Sequence, residues 1–97
     1  MPSGEIRVLL PAVLAPSAGG KSELSVPAGD GLTVGTLLDG LGDRFPVLGR
    51  RLRDETGLVR KFVNIYVNGE DIRSLDRLHS PVAPGSEVLV LQSIAGG

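Results

Sequence analysis

The sequence predicts an α+β domain, a five-stranded mixed sheet with one principal helix across one face. Three observations predict it. Short apolar or alternating runs with strand periodicity recur around residues 6–10, 22–26, 63–67 and 87–92. A single apolar stripe with helical spacing lies between them, at Val34, Leu37, Leu38, Leu41 and Phe45. Asn68-Gly69, whose residues both tolerate positive φ, is a strong type I′ hairpin signal.

Each element has its own warrant. Ile6-Arg7-Val8-Leu9-Leu10 is β-branched and apolar, and Pro11 ends or bends it. Val13 and Leu14 are read as its continuation, and residues 15–20 as a soft hairpin tip by composition. Residues 22–26 alternate polar and apolar, as a half-buried strand does. Thr33 is placed to cap the helix, because its hydroxyl can accept from a free N–H of the first turn. Gly35, Gly40 and Gly42 each cost about 1 kcal/mol in a helix interior, so packing of the stripe has to hold it. Pro46 ends the helix, and residues 47–53 form another turn or two. Residues 63–67 are the next strand and 70–73 its short return. Residues 75–78 make one helical turn, and Pro84-Gly85 makes a turn. In the last strand Val88, Leu89, Val90 and Leu91 are all apolar. Both of its faces are therefore expected to be covered, as at the centre of a sheet. The order β-β-α-β-β-β, with first and last strands parallel and adjacent, is that of the β-grasp or ubiquitin-like fold.

Bulk properties exclude several functions. The chain has 97 residues, enough for one compact domain. A formal net charge of −1 and 3% aromatics argue against nucleic acid, which needs a basic surface and stacking platforms. The absence of cysteine excludes thiolate chemistry, and one histidine, His79, excludes a multi-histidine metal site within the chain. No apolar stretch approaches the roughly 20 residues needed to span a bilayer. The start lacks the basic region of a signal peptide, so the expected location is cytoplasmic. Residues 15–22 are a degenerate phosphate-loop match. The residues after Lys21-Ser22 alternate as a strand rather than opening a helix, so nucleotide binding there is not expected.

The feature that points to a function is the end of the sequence, Gly96-Gly97, a few residues beyond the last strand. Residues 1–92 read as the folded domain and 93–97 as a flexible Gly-Gly tail. Glycine carries no Cβ, so such a tail can enter a slot too narrow for other residues. From Gln92 to Gly97 an extended arm reaches about 20 Å at roughly 3.3 Å per residue. The reactive group is then the Gly97 carboxylate, with Ile94, Ala95 and Gly96 lying in a partner's active site.

The β-grasp order, the small chain and the Gly-Gly end together resemble the prokaryotic sulfur carrier proteins of the ThiS/MoaD family. The segment 61–73, KFVNIYVNGEDIR, and the ending LQSIAGG are most similar to the actinobacterial cysteine-biosynthesis branch. The resemblance spans nearly the whole chain. It implies a protein cosubstrate rather than an enzyme, monomeric when free and binding no cofactor of its own. A ubiquitin-activating-type enzyme using ATP and Mg²⁺ would adenylate Gly97, and a sulfur donor would convert it to a thiocarboxylate. An acceptor synthase, carrying pyridoxal phosphate in the cysteine branch, would take the sulfur, and a metallopeptidase would release the product. Diversion to a sulfur-containing natural product remains open. So do a ubiquitin-like protein modifier, a small subunit of molybdopterin synthase and a β-grasp interaction module with an inert tail.

Docking surfaces are less marked. Phe62 and Tyr66 alternate with Val63, Ile65 and Val67, which puts the two aromatics on the face away from the helix, unless a neighbouring segment covers them. Arg44, Arg50, Arg51, Arg53, Arg60 and Lys61 cluster between positions 44 and 61, opposed there only by Asp54 and Glu55. Arg50, Arg51 and Arg53 are the candidate contacts with an acidic partner, and a solvated basic loop is the alternative. His79 beside Ser80 reads as an ordinary turn residue.

Overall fold

A computed structural model of the chain describes residues 4–93. Five strands, β1 (Ile6–Leu9), β2 (Glu23–Val26), β3 (Val63–Val67), β4 (Glu70–Asp71) and β5 (Glu87–Gln92), form one sheet in the order β2-β1-β5-β3-β4. β5 lies at the centre, parallel to β1 and antiparallel to β3. The expected five-stranded mixed sheet of the β-grasp is therefore present, with its first and last strands side by side. Helices α1 (Val34–Arg44) and α2 (Pro46–Leu52) pack together.

The core is aliphatic, as three aromatic residues dictate. Ile6, Val8, Val88, Val90 and Ile65 from the sheet meet Val34, Leu37, Leu38 and Leu41 of α1 and Leu48 and Leu52 of α2, all of them buried. Phe45 completes the predicted helical stripe only in part. It is half-buried at the junction where Pro46 starts α2. Gly42 turns out to be a contact rather than only a propensity cost. A Cβ on Gly49 would lie 2.8 Å from Gly42 Cα, so the two glycines set how closely the helices approach.

Thr33 caps α1 as expected. The Thr36 N–H donates to Thr33 Oγ1 at 3.2 Å, and the Thr33 N–H donates to Thr36 Oγ1 at 2.9 Å. The reciprocal pair satisfies two backbone N–H groups that the helix cannot. Thr33→Ala is expected to cost about 1 kcal/mol of stability, read as a lowered urea midpoint with an unchanged denaturant slope.

Four expectations are corrected. Val13 and Leu14 do not prolong β1, and the hairpin tip is not soft. Residues Ala12–Ala18 form a 3-10 helix that buries Leu14 and Ala18, with Gly19 at φ 68° closing it. A buried leucine gives this connection a reason to be ordered that its Pro, Ser and Gly content hid. The return strand is Glu70–Asp71 alone, because Ile72 turns inward at the start of a 3-10 turn, Ile72–Ser74. The single helical turn read at 75–78 is instead a second 3-10 turn, Arg77–His79. The fourth concerns β5. Val88 and Val90 are buried, whereas Leu89 is half-buried and Leu91 is 41% exposed. The helices cover one face of the sheet, and among the described residues the other is open.

Candidate functional site

The open face is built by register. Leu89 of β5 sits between Leu9 of β1 and Tyr66 of β3, and Leu91 is opposite Asn64. Phe62, 43% exposed, precedes β3 and meets the end of β5 through its carbonyl, which accepts from the Ser93 N–H at 2.8 Å. The two aromatics expected on this face are there, Tyr66 half-buried and Phe62 exposed. Toward the end where β5 finishes, the face carries exposed Leu91 and Phe62 beside half-buried Asn64. At its other end it is polar, with Arg7 3.1 Å from Glu23 and 3.5 Å from Glu87. Ion pairs this exposed contribute little to stability. Leu89 and Leu91 were missed on this face because an all-apolar strand reads as covered on both sides.

The polar residues around the end of β5 are organised. Asn64 Nδ2 donates to Ser93 Oγ at 3.0 Å, and Arg73 Nη2 donates to Asn64 Oδ1 at 3.0 Å. Arg73 is held in turn by Asp71, through Nε to Oδ1 at 3.1 Å and Nη2 to Oδ2 at 2.7 Å. None of these residues stood out in the sequence for function. The usable signal was an asparagine in the middle of a strand, where that residue is depleted. At the opposite end of β5, the Asn68 turn is bolted to the start of the strand. Its N–H donates to Glu87 O at 2.9 Å, its Nδ2 to Ser86 Oγ at 3.1 Å, and Glu87 N–H to its Oδ1 at 3.0 Å. Asn68 and Gly69 have φ of 50° and 88°, as the type I′ turn requires.

The Arg73 side chain, then the Arg73 backbone N–H, hydrogen-bond the Asp71 carboxylate and hold its pKa below the ordinary 3.8, against a smaller opposing effect of desolvation. A lowered folded-state value means that ionised Asp71 stabilises the fold above the ordinary carboxylate range. That contribution is lost as the pH falls through the lowered value. Asp71→Asn is accordingly expected to flatten the acid limb of a thermal-midpoint titration as the pH falls below the ordinary carboxylate range.

The basic cluster is divided. Arg53 pairs with Asp39 of α1. Arg44 donates to Ser25 O at 3.2 Å and lies 5.1 Å from the Phe45 ring centre. Arg60 Nε donates to Arg50 O at 2.6 Å. Arg50, Arg51 and Lys61 project as exposed cations. His79 is exposed in its 3-10 turn, and Lys21-Ser22 leads into β2 rather than a helix. Among the described residues no group of three or more His, Cys, Asp or Glu is placed to hold a metal, and no helix is long and apolar enough to cross a membrane. Ile94, Ala95, Gly96 and Gly97 lie outside the described residues.

A mixed sheet ordered 2-1-5-3-4, helices on one face and a central last strand running toward the C-terminus define a ubiquitin-like β-grasp protein. Within that class the model of the ThiS family matches residues 8–97, and the chain belongs to the ThiS family. It is 36% identical over 94 residues to the sulfur carrier protein CysO of Mycobacterium tuberculosis, covering 95% of this chain and 98% of that one. The crystal structure of Mycobacterium tuberculosis CysO superposes with a TM-score of 0.81 at 34% identity, over 92% of this chain and 99% of that one. The Amycolatopsis orientalis BexX/CysO complex contains a chain that matches with a TM-score of 0.81 at 30% identity, over 95% and 99% of the two chains. SAMP1 of Haloferax volcanii, a small archaeal modifier protein, also matches at 0.81, with 29% identity over 96% and 99%.

Proposed function

We propose that the chain is a sulfur carrier whose working group is the carboxyl of Gly97. The observation that carries this reading is the family match over residues 8–97, which includes Gly96-Gly97, together with a relative named a sulfur carrier that matches over 95% of the chain. A carboxylate is a poor electrophile. Attack of the Gly97 carboxylate on the α-phosphate of ATP, in an activating enzyme with Mg²⁺, gives an acyl-adenylate and releases pyrophosphate. A sulfur donor then attacks the carbonyl, AMP leaves, and a thiocarboxylate remains. That soft nucleophile delivers sulfur to an acceptor held by a synthase, in the cysteine branch an enzyme carrying pyridoxal phosphate, and a metallopeptidase frees the product. ATP, metal and pyridoxal phosphate all belong to those partners.

The folded body serves this chemistry as a handle. β5 is held by β1 over Glu87–Leu89 and by β3 along Val88–Gln92, so its last residues are carried by β3 alone. The uncovered apolar residues toward that end, Leu89, Leu91, Tyr66 and Phe62, are the surface for a partner to cover. Exposed Arg50 and Arg51 offer cations that would steer association more than hold it. The activating enzyme of the same organism tests the reading. Pyrophosphate release from ATP should depend on the chain and should vanish when the terminal carboxyl is converted to an amide. Release that is indifferent to amidation would exclude Gly97 as the acceptor of AMP.

The likeness to a small archaeal modifier protein supports a second reading, in which the same activated carbonyl is transferred to lysine. Lysine residues carrying a Gly97-linked remnant in digests of the native cell would select it.

A further inference from the structure

Asn64, Arg73 and Asp71 lie outside the core, yet their hydrogen bonds converge on Ser93, one residue past the end of β5. A guanidinium has donors only, so the approach of Arg73 turns the Asn64 amide oxygen toward itself and the amide NH₂ toward Ser93. Asp71 fixes the plane of that guanidinium through two contacts. The orientation of Asn64 is thereby set by charge rather than left to choice. Ser93 is held twice, at its hydroxyl by Asn64 and at its N–H by the Phe62 carbonyl. Arg73 and Ser93 are exposed and Asn64 half-buried, and hydrogen bonds in such places add little to global stability. What the relay does control is the freedom of one backbone position, the last before residues 94–97.

We infer that Asn64 is a positioning residue for activation, the middle member of an Asp71–Arg73–Asn64 relay that clasps Ser93 and fixes the point from which the chain continues toward Gly97. The inference rests on the carrier reading and deepens it. Threading a chain end into an active site costs conformational entropy, and a position already fixed in the free protein has less to lose. The clasp therefore strengthens productive docking and leaves the chemical step alone.

Two measurements on the full chain test it. The first is amide hydrogen exchange at Ser93, which needs no enzyme. The second is the steady-state rate of adenylation by the activating enzyme of the same organism. Asn64→Ala and Ser93→Ala should both speed exchange of the backbone amide at position 93 severalfold, relative to each residue's intrinsic rate, and raise KM for the carrier roughly fivefold, with kcat close to wild type. Asn64→Asp should restore KM, since a carboxylate can accept from Arg73 with one oxygen and from the Ser93 hydroxyl with the other. Ser93→Ala changes an exposed residue beyond the last strand, so its outcome stands even if Asn64→Ala weakens the fold. Wild-type exchange and KM in Ser93→Ala would overturn the inference, as would a fall in kcat at unchanged KM. A wild-type chain that is never adenylated would sink the carrier reading, and the exchange comparison alone would then decide the clasp.

Discussion

Gly96→Val is expected to leave the domain folded and to lower adenylation of the chain by at least about a hundredfold. Position 96 follows β5 in sequence, and the described core, Ile6, Val8, Val88, Val90 and their helix partners, is drawn from earlier positions. Thermal unfolding should therefore be unchanged. On the proposed reading the loss would arise at the partner, where a slot shaped for a chain without Cβ atoms would exclude the added isopropyl group and the displaced carboxylate would no longer meet the α-phosphate. Pyrophosphate exchange against carrier concentration measures the effect. A valine variant activated at the wild-type rate would remove the narrow-slot argument.

Leu91→Glu carries the second-largest expected effect. Leu91 is 41% exposed on the open face, beside Asn64 and near the end of the chain. Replacing it opens no cavity, so the thermal midpoint should move little. If the end of this face that carries Leu91 is what the activating enzyme covers, the new carboxylate must be desolvated on docking. At about 2 kcal/mol, a typical central-contact cost, kcat/KM falls roughly thirtyfold. Val13→Glu is the control. Val13 is 56% exposed but belongs to the 3-10 connection between β1 and β2, off this face, and its substitution should leave kcat/KM near wild type. Equal losses in the two variants would point to a general charge effect rather than to a docking face.

How far the sequence revealed this protein depends on which physical signal each element carries. Strand alternation at 63–67, the helical stripe from Val34, the Thr33 cap and the Asn68-Gly69 turn are local signals, and each appears where it was read. Together they impose the sheet order. The connection at 12–18 was misread because its order comes from Leu14 and Ala18 packing into a core formed by distant residues, which no local pattern records. The end of the return strand was misread for the same reason, with Ile72 leaving the edge strand to be buried. The two-faced burial expected of β5 failed on a different principle. Apolar residues were equated with covered ones, and half-buried Leu89 and exposed Leu91 lie on a side that no described element of the chain covers. Phe62 and Tyr66 were placed on that side from periodicity alone. The Asp71–Arg73–Asn64–Ser93 relay was invisible, because it depends on the register that brings position 64 next to the end of β5. The Gly97 carboxyl was legible only as a chain end of suggestive composition and through family resemblance.

The most direct test is the intact mass of the protein after incubation with its activating enzyme, ATP and a sulfide source. A sulfur carrier gains the mass difference of one sulfur replacing one oxygen, localised by fragmentation to Gly97 and absent when ATP is withheld. A chain that is adenylated yet never acquires sulfur, or that acquires it anywhere other than Gly97, would contradict the proposed role.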